Sequence, residues 1–358
     1  MDKDKCMVIW LHELNKGDPM VAGKKCCHLG EMLQAKLPVP PGFALTLKAY
    51  ETFLQDSGAK KIILGILEKH KHELVNDLSK NDEISSYIIN EVIMSKEMPA
   101  ELKETVDIYY KQLCDTCGCV DAPVAVRSSG PVSMPGQFDT FLNIRGYDNL
   151  VQNIIKVWAS SFNARSMAYR LQHNMAVESS PIGVAVLKMA NARSSGVMFT
   201  LDPINGDPSR IFIEGSWGLG ESLVSGQVNP DKFVLDKITL EIKQKTICDK
   251  AVELVRNPQG DVVARDVPPE KRKVACLSDQ EILELARIGK RIEKHYGVAQ
   301  DIEWAIDEDL IFPHNIIILQ TRQESIWTKR TKEPVAYAVK GNTTELIARG
   351  LMQGIKLQ

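Results

Sequence analysis

Two neighbouring segments near residue 300 carry charged and amide side chains at alternate positions of predicted strands. Residues 301–306 and 316–321 are runs of β-formers, and the loop between them predicts that the two strands pair. Because side chains alternate across a strand, Asp301 and Glu303 share one face, and the polar residues at the end of the second strand likewise share one. A sheet seldom tolerates such groups unless they contact a ligand or one another. The pattern therefore requires a sheet with one polar face.

The same strand pair offers ligands for a hard metal ion. Glu303 and Gln320 supply oxygen donors of the kind that Mg²⁺ accepts, and Mg²⁺ takes its other ligands from phosphates and water. Arg322 stands two residues from Gln320, aimed at the same phosphates. The pattern predicts a metal and phosphate site, against the alternative of a cross-strand Glu–Arg ion pair on a solvated sheet face.

The pattern of secondary structure changes around Pro123. Residues 1–120 are predicted mostly helical with one or two short strands, whereas residues 183–240 are dense in strand-forming runs. Thr46 and Ser278 are predicted N-caps. Strands are predicted at residues 6–11, 124–126, 140–144, 183–189, 196–200, 211–214, 233–235, 301–306 and 316–321, and helices from near residue 25, at 46–58, 99–118, 149–173 and 279–296.

The composition limits what the chain can bind. A formal net charge of −2 provides no electrostatic basis for coating a polyanion, so any phosphate must be held by a few placed cations and backbone amides. The apolar run from Cys6 to Leu11 is too short for a secretory or membrane segment, and we expect a cytoplasmic protein without nucleic-acid or membrane partners. Cys114, Cys117 and Cys119 have no fourth ligand nearby in the sequence, which favours reduced thiols at a helix end over a zinc site.

Two stretches supply candidate phosphate-binding cations. In Gly23-Lys24-Lys25, a lysine after a glycine at the entrance to a helix can present its ammonium group to a phosphate. Arg127 directly follows a short buried strand, at the end where clefts form, and its planar fork suits phosphate oxygens. The Ser/Gly-rich loop beyond it, which leads through Gly136 to Thr140, can close over a polyphosphate. The alternatives are solvating lysines and an ordinary turn with Arg127 in a surface ion pair.

A third stretch, residues 214–221, has glycines around a tryptophan. This composition indicates a backbone that packs tightly against either a ligand or a neighbouring element. It is not a dinucleotide fingerprint, because the spacing is wrong and no helix-opening third glycine follows. Both interpretations stay open.

Eight short motifs follow one another along the chain. They are Gly23-Lys-Lys25 with Leu29-Gly-Glu-Met32, residues 124–129, residues 136–143, Ser195-Gly-Val-Met-Phe-Thr200, Trp217-Gly-Leu-Gly-Glu221, Asn229-Pro-Asp231, residues 301–304, and Gln320-Thr-Arg322. Together, and in this order, they resemble the nucleotide-binding half of phosphoenolpyruvate synthase and pyruvate phosphate dikinase, from about residue 8 to residue 325. The resemblance implies an α/β (α+β) ATP-grasp fold, with an N-terminal helix-rich subdomain and a C-terminal β-rich subdomain that enclose the nucleotide cleft.

The same resemblance implies ATP and Mg²⁺ as cofactors, and transfer of phosphate to a histidine on a separate swivelling domain with release of AMP. Counting back from the Leu29-Gly-Glu motif places the family's lysine at Lys25 rather than Lys24. Near the adenine, Leu187 stands where many relatives carry a glutamine. The implied residues are Lys25, Arg127 and Arg322 for polyphosphate binding and catalysis, Gly136, Gln137 and Thr140 in the loop over the phosphates, Lys188, Met189 and Glu214 as further nucleotide contacts, and Glu303 and Gln320 as metal ligands.

The histidines of the chain do not match the family's phosphohistidine motif. They are His12, His28, His70, His72, His173, His295 and His314. We therefore expect either an excised domain or a subunit whose histidine lies on another polypeptide. The stand-alone arrangement is similar to the ATP-binding subunit of phenylphosphate synthase in anaerobic phenol degradation, where phenol, ATP and water give phenylphosphate, AMP and phosphate.

The length of 358 residues allows two domains. We predict N-terminal ATP-grasp subdomains at 1–190, a C-terminal subdomain with the metal ligands at 191–325, and a linker or docking tail at 326–358. Alternatives to the phenylphosphate synthase-like function are the nucleotide-binding domain of phosphoenolpyruvate synthase or of a rifampicin-type or glucan phosphotransferase, a catalytically silent scaffold subunit, and a direct kinase that forms ADP.

Overall fold

The described strands assemble into two large antiparallel sheets and a separate two-stranded hairpin, in a computed structural model that describes residues 2–328 except 77, 133, 135, 136, 179, 180, 225, 227, 258 and 259. The chain divides into two compact units, residues 1–324 and 325–358, and every element below belongs to the first. The predicted tail lies almost entirely outside the described residues, and so does Gly136. The predicted subdomain boundaries stay predictions.

Sheet A is built from apolar strands of the N-terminal half. Its strands are Val8–Trp10 (β1), Gly42–Leu45 (β2), Val124–Ser129 (β3), Thr140–Ile144 (β4) and Gly183–Lys188 (β5). In the described residues their order across the sheet is β1-β2-β5-β3-β4. Val126 pairs with Val186 on the face that packs against most of the helices, whereas Arg127 pairs with Ala185 on the opposite face. Arg127 therefore points away from the main helical layer.

The helices of the N-terminal half lie mainly on the Val126 face of sheet A. Helix α1 (Pro19–Gln34) is the exception, because its apolar residues share a core with Ala185 on the other face. As predicted, Thr46 caps a helix: its hydroxyl accepts a hydrogen bond from the Ala49 N–H at 3.2 Å. The other helices are Leu47–Asp56 (α2), Ala59–Lys69 (α3), Lys71–Asn76 (α4), Leu78–Tyr87 (α5, followed by a π-helical turn at Ile88–Ile93), Ala100–Cys117 (α6), Tyr147–Ala159 (α7) and Ala164–Gln172 (α8).

Sheet B is built from the C-terminal half. Its strands are Ala192–Phe199 (β6), Arg210–Trp217 (β7), Asp231–Asp236 (β8), Ile242–Thr246 (β9), Gln300–Asp307 (β12) and Ile316–Gln323 (β13), and a separate hairpin consists of Val252–Arg256 (β10) and Val262–Asp266 (β11). The helices here are Glu221–Val224 (α9), Pro269–Arg272 (α10) and Asp279–Tyr296 (α11). Among the described residues the strand order of sheet B is β13-β12-β6-β7-β8-β9, so β13 is an edge strand.

The two faces of sheet B differ in chemistry. Ile302, Trp304 and Ile306 are fully buried on one face, in the core that α11 also joins. Gly196 and Gly215 lie under the Trp304 ring, because a Cβ at either position would come within 2.6–2.7 Å of a ring atom. The packing interpretation of the glycine-containing stretch therefore holds for Gly215. The opposite face carries the polar residues of β12.

The structure extends or divides several predicted elements. Ser128 and Ser129 pair with β5 and belong to strand β3, not to the loop. The helix predicted at 149–173 is two helices, because Asn163 interrupts it and caps α8 by accepting the Ser166 N–H at 2.8 Å. Helix α1 begins at Pro19, earlier than predicted.

The fold class is the predicted mixture of helix and sheet, with the helix-rich part first and the strand-rich part second. Throughout the described part of the chain, each helix is too short or too polar to cross a bilayer. In the same residues, no group of three or more His, Cys, Asp or Glu side chains could hold a metal ion. Cys114 is buried at the end of α6, where its Sγ accepts the Ala122 N–H.

Candidate active site

The carboxyl end of β3 delivers Arg127 to the β12–β13 strand pair. Its Nη1 donates to the Leu319 carbonyl at 3.0 Å, and its Nη2 donates to Glu303 Oε2 at 3.0 Å and to Gln320 Oε1 at 3.4 Å. Its Nε is buried without a partner in the described residues. One cation of sheet A thus contacts both candidate metal ligands and keeps one unused donor.

The register of β12 and β13 places four polar residues on one face. Glu303 is the cross-strand partner of Gln320, and Asp301 is that of Arg322. Gln320 Nε2 donates to Glu303 Oε1 at 3.2 Å, and Arg322 Nε donates to Asp301 Oδ2 at 2.7 Å. The predicted sharing of one face is confirmed. The register also skips Leu319, a bulge that lies beside these four residues.

Helix α1 is broken where β3 runs past it. Gly23 has a φ of 79° and a ψ of 162°, and a Cβ there would lie 2.0 Å from the Ser129 carbonyl oxygen. After the break, the Lys24 N–H donates to the Gly130 carbonyl at 2.9 Å and the Cys26 N–H donates to Ser129 Oγ at 3.0 Å. The strand end therefore caps the restarted helix and fixes the direction in which it leaves the break.

Lys25 is the side chain that this break directs into the cluster. Its Nζ has no hydrogen-bond partner among the described residues, and Arg127 and Glu303 are the charged side chains that act on it. Burial and then repulsion from Arg127 lower the pKa of Lys25 to about 8, against a smaller opposing effect of Glu303. Lys24, in contrast, is exposed. The geometry favours Lys25 over Lys24 as the phosphate lysine.

Glu303 stays ionised despite its burial. Burial raises the pKa of its carboxyl group, but Arg127 and then Lys25 and Arg322 outweigh burial, so the net pKa is lowered. An ionised carboxylate beside the Gln320 amide oxygen is a hard donor pair that suits Mg²⁺, with positions left for phosphate oxygens and water. The residues present therefore fit the metal that the sequence predicted.

Comparisons with known proteins agree with this chemistry. The family described as pyruvate phosphate dikinase, AMP/ATP-binding domain, matches residues 19–342. The chain belongs to this family. A probable phosphoenolpyruvate synthase of Staphylothermus marinus is 38% identical over 98% of this chain and 46% of its own length. That of Methanothermobacter thermautotrophicus is also 38% identical, over 98% of this chain and 50% of its own length.

This chain spans about half the length of these two curated relatives. Among solved structures, an acetyl-coenzyme A synthetase of Ca. Korarchaeum cryptofilum, in complex with coenzyme A and Ca-AMPCP, is 14% identical over 67% of this chain and 90% of its own, with a TM-score of 0.30. A likeness this weak carries no argument. The ATP-grasp fold instead follows from membership in the dikinase family, as the resemblance implied.

The loop residues implied by the family lie beside Arg127 as far as they are described. Thr140 is the cross-strand neighbour of Arg127 and lines a cavity of about 560 Å³. The Gln137 carbonyl accepts hydrogen bonds from Asn163 Nδ2 at 2.8 Å and from Ser166 Oγ at 2.9 Å. These contacts attach the end of the loop to the start of α8.

The remaining nucleotide contacts implied by the family are spread more widely. Glu214 lies in the same cross-strand row as Glu303, two strands away, and pairs with Lys232 at 3.3 Å. Met189 is buried in a small apolar cluster with Ala125 and Leu219. The structure does not bring the Lys188 side chain to the cluster, because it lies on the opposite face of sheet A from Arg127.

Leu187 is fully buried in the core shared with α1, so its side chain packs among apolar residues.

Three residues near the cluster were not assigned from the sequence. Asp301 was part of the alternating pattern, which contained the signal, and it binds the Arg322 guanidinium; Arg322 is therefore not a free cation. Ser129 acts on α1 through a contact between distant parts of the chain, for which the sequence has no local signal. Burial raises the pKa of Glu221, and the opposing effect of Arg127 shows that Glu221 lies within electrostatic reach of that cation.

Proposed function

We propose that this chain is the ATP-binding part of a dikinase-type phosphotransferase, which passes phosphate from Mg-ATP to a histidine. The observation that carries the proposal is the convergence of two cations, Lys25 and Arg127, with two oxygen donors, Glu303 and Gln320. The four residues come from α1, β3, β12 and β13, and packing alone does not require them to meet. Catalysis of phosphoryl transfer consists mainly of positioning and charge neutralisation, which such a set can supply.

Each side chain has a defined part in this proposal. The chemistry that Mg²⁺ would supply here is neutralisation of the negative charge of the phosphates. Glu303 and Gln320 would hold it, while Arg127 would turn its donors from these oxygens to the phosphate. The unused Nε of Arg127 suits this exchange. Lys25 would stabilise the charge that develops on the transferring group.

Arg322 has a more limited part. Its Nε and Nη2 both bond to Asp301 Oδ2 at 2.7 Å, so one side of its fork is occupied. About half of its side chain is nevertheless exposed, which leaves donors for a phosphate oxygen. We propose that Asp301 orients Arg322 toward the phosphates.

The acceptor lies outside the described site, on a partner subunit or on another domain, and two systems stay open. The printed names of the relatives support a phosphoenolpyruvate synthase-type acceptor. The phenylphosphate synthase-like interpretation, with phenol as the final acceptor, rests on the resemblance of the chain to that ATP-binding subunit.

The test follows the two terminal phosphates of ATP. The chain is incubated with β- and γ-labelled ATP and Mg²⁺ in a lysate of the source organism, and the nucleotide products and the proteins labelled at histidine are identified. AMP together with a labelled histidine supports the proposal. ADP as the only product indicates a direct kinase. Absence of both turnover and Mg-ATP binding indicates a scaffold and rejects the proposal. The identity of the labelled protein distinguishes the two acceptor systems.

A further inference from the structure

The strand that carries Gln320 and Arg322 is an edge strand, so its outward backbone groups need partners. Three of these partners come from the N-terminal half of the chain. The Ile318 N–H donates to the Pro38 carbonyl at 2.7 Å, and the Leu319 carbonyl accepts from Arg127 at 3.0 Å. The third partner is His28, whose Nδ1 lies 3.1 Å from the Thr321 carbonyl oxygen.

His28 occupies a particular place on α1. It follows Lys25 by about one helical turn, so the two side chains lie on neighbouring parts of one helix face. A carbonyl oxygen can only accept a hydrogen bond, so Nδ1 of His28 must carry the proton. The Tyr296 ring of α11 packs at 5.8 Å from the His28 ring, which restricts its rotation.

The residue that His28 contacts lies between two residues of the candidate site. Thr321 is buried, and its Oγ1 donates to Gln300 Oε1 at 2.8 Å on the neighbouring strand. With the His28 contact, Thr321 is held on both its carbonyl and its side chain. A shift of this carbonyl would rotate the peptide unit that joins Thr321 to Arg322, one residue beyond Gln320.

We propose that His28 is a positioning residue, which couples the helix of the phosphate lysine to the strand of the metal ligand by holding the Thr321 carbonyl. The inference rests on the proposed function, because it gives His28 a purpose in Mg-ATP binding. It adds to that function a side chain that touches neither metal nor nucleotide. The hydrogen bond sets the distance between Lys25 and Gln320.

A second histidine provides a matched control. His295 of α11 contacts Glu31 of the same helix α1, with Nε2 2.8 Å from Oε1. This pair attaches α1 to α11 but does not touch β13. If His28 only stabilised the packing of α1, replacement of either histidine would have similar consequences.

The experiment compares His28→Phe, His28→Asn and His295→Phe in the full chain. Phenylalanine keeps the ring but not the donor, whereas the asparagine Nδ2 stands near the place of Nδ1. Amide hydrogen exchange of residues 316–323 reports the hold on β13 without any ligand. Titration with ATP in Mg²⁺ and in EDTA gives the gain in affinity that the metal causes.

We expect faster exchange in β13 and a metal-dependent gain reduced about 3- to 10-fold for His28→Phe, the effect of losing one hydrogen bond. The affinity of His28→Phe for ATP in EDTA should stay within about twofold of the wild-type value. His28→Asn should recover most of both properties, and His295→Phe should change neither. If His28→Phe does not fold, His28→Ala takes its place in the comparison.

Two results would overturn the inference. Unchanged exchange of β13 in His28→Phe shows that His28 does not hold the strand, whatever the nucleotide does. Equal effects of His28→Phe and His295→Phe on the metal-dependent gain show a general packing role. A failure of the proposed function looks different: the wild-type chain would then show no metal-dependent ATP binding, while the exchange comparison still reports on His28.

Discussion

Two ion pairs of this chain, Asp231–Lys250 and Glu303–Arg127, differ in burial and in how completely their atoms are bonded. Asp231 accepts Lys250 Nζ at 2.6 Å and two backbone N–H groups, and both side chains are fully buried. Lys250 also donates to the Cys248 carbonyl at 3.0 Å. In the other pair, about a third of the Glu303 side chain is exposed, and the Nε of Arg127 has no partner in the described residues.

This difference distinguishes an ion pair that only stabilises the fold from one that can also bind a ligand. The Asp231–Lys250 pair is closed, because neighbouring backbone groups use its remaining hydrogen-bonding capacity and no room for a ligand remains. The Glu303–Arg127 pair is open, with a second cation, Lys25, that lies near Glu303 but forms no ion pair within 4.0 Å in the described part. Excess positive charge and unused hydrogen-bond donors lower the stability of a folded protein unless a bound anion neutralises the charge and accepts the hydrogen bonds.

The largest expected effect concerns the closed pair. Lys250→Met leaves Asp231 as an unpaired buried charge, and such a change costs about 3–5 kcal/mol of unfolding free energy. Urea unfolding measures it. Lys243→Met is the control, because Lys243 pairs with Glu241 on the surface and its loss should change stability by less than about 1 kcal/mol. If Lys250→Met lowers the free energy of unfolding no more than the control does, the complete bonding of the Asp231–Lys250 pair adds nothing to stability.

The next effect concerns the open pair. Glu303→Gln removes the carboxylate charge that we propose holds Mg²⁺, and we expect phosphoryl transfer to fall about 10²- to 10³-fold, as for other lost electrostatic contacts at reacting groups. Stability should fall less than in Lys250→Met, because water reaches Glu303. The measurements are AMP formation in the lysate assay described above and urea unfolding.

Glu281, a buried glutamate, is the control for Glu303. Glu281 accepts two hydrogen bonds from Arg193 and the N–H of Ser278 at the start of α11. Glu281→Gln should lower stability and leave transfer per folded molecule unchanged. If Glu303→Gln retains full AMP formation, the metal assignment is wrong.

A smaller effect is expected at the break of α1. Gly23→Ala forces a Cβ to 2.0 Å from the Ser129 oxygen, at a φ and ψ that only glycine adopts readily. The strain alone costs about 1–3 kcal/mol, and the shift of α1 should weaken Mg-ATP binding by displacing Lys25. Gly58→Ala is the control: its φ is 74°, but nothing lies within 4 Å of the added Cβ. Equal ATP affinity in the two variants would show that the break does not position Lys25.

Gly23 also marks the limit of what the sequence could predict. The capping box of α11 was predictable, because Ser278 and Glu281 lie three residues apart and determine the helix start locally. The pairing of β12 with β13 was predictable for the same reason, from adjacent alternating runs. The break at Gly23 was not, because it depends on Ser129, which is distant in sequence.

Other parts of the fold and site were missed for related reasons. Strand β9 reads Ile-Lys-Gln-Lys-Thr and is largely exposed, so it lacks the apolar alternation that identifies a strand. The two pairs of β12 and β13 residues were predicted to share a face, but the sequence did not show that Asp301 binds Arg322 whereas Glu303 binds Arg127. That choice depends on where β3 ends, which is a property of the assembled sheets.

The smallest expected effect tests whether Lys25, beside the Glu303–Arg127 pair, binds the phosphates of ATP. Lys25 has a pKa of about 8 in the free protein, below the ordinary value of 10.5, so it is mostly protonated at pH 7 and mostly neutral at pH 9. A bound triphosphate favours the protonated form. Linkage then predicts that Mg-ATP affinity falls about tenfold between pH 7 and pH 9, with proton uptake on binding near pH 8.5. Calorimetry in buffers of different ionisation enthalpy measures both.

Lys25→Arg, which stays charged, should flatten the profile, and Lys24→Met should keep it, because Lys24 is exposed. A flat profile in the wild-type chain, or loss of the pH dependence in Lys24→Met, would remove Lys25 from the phosphate site.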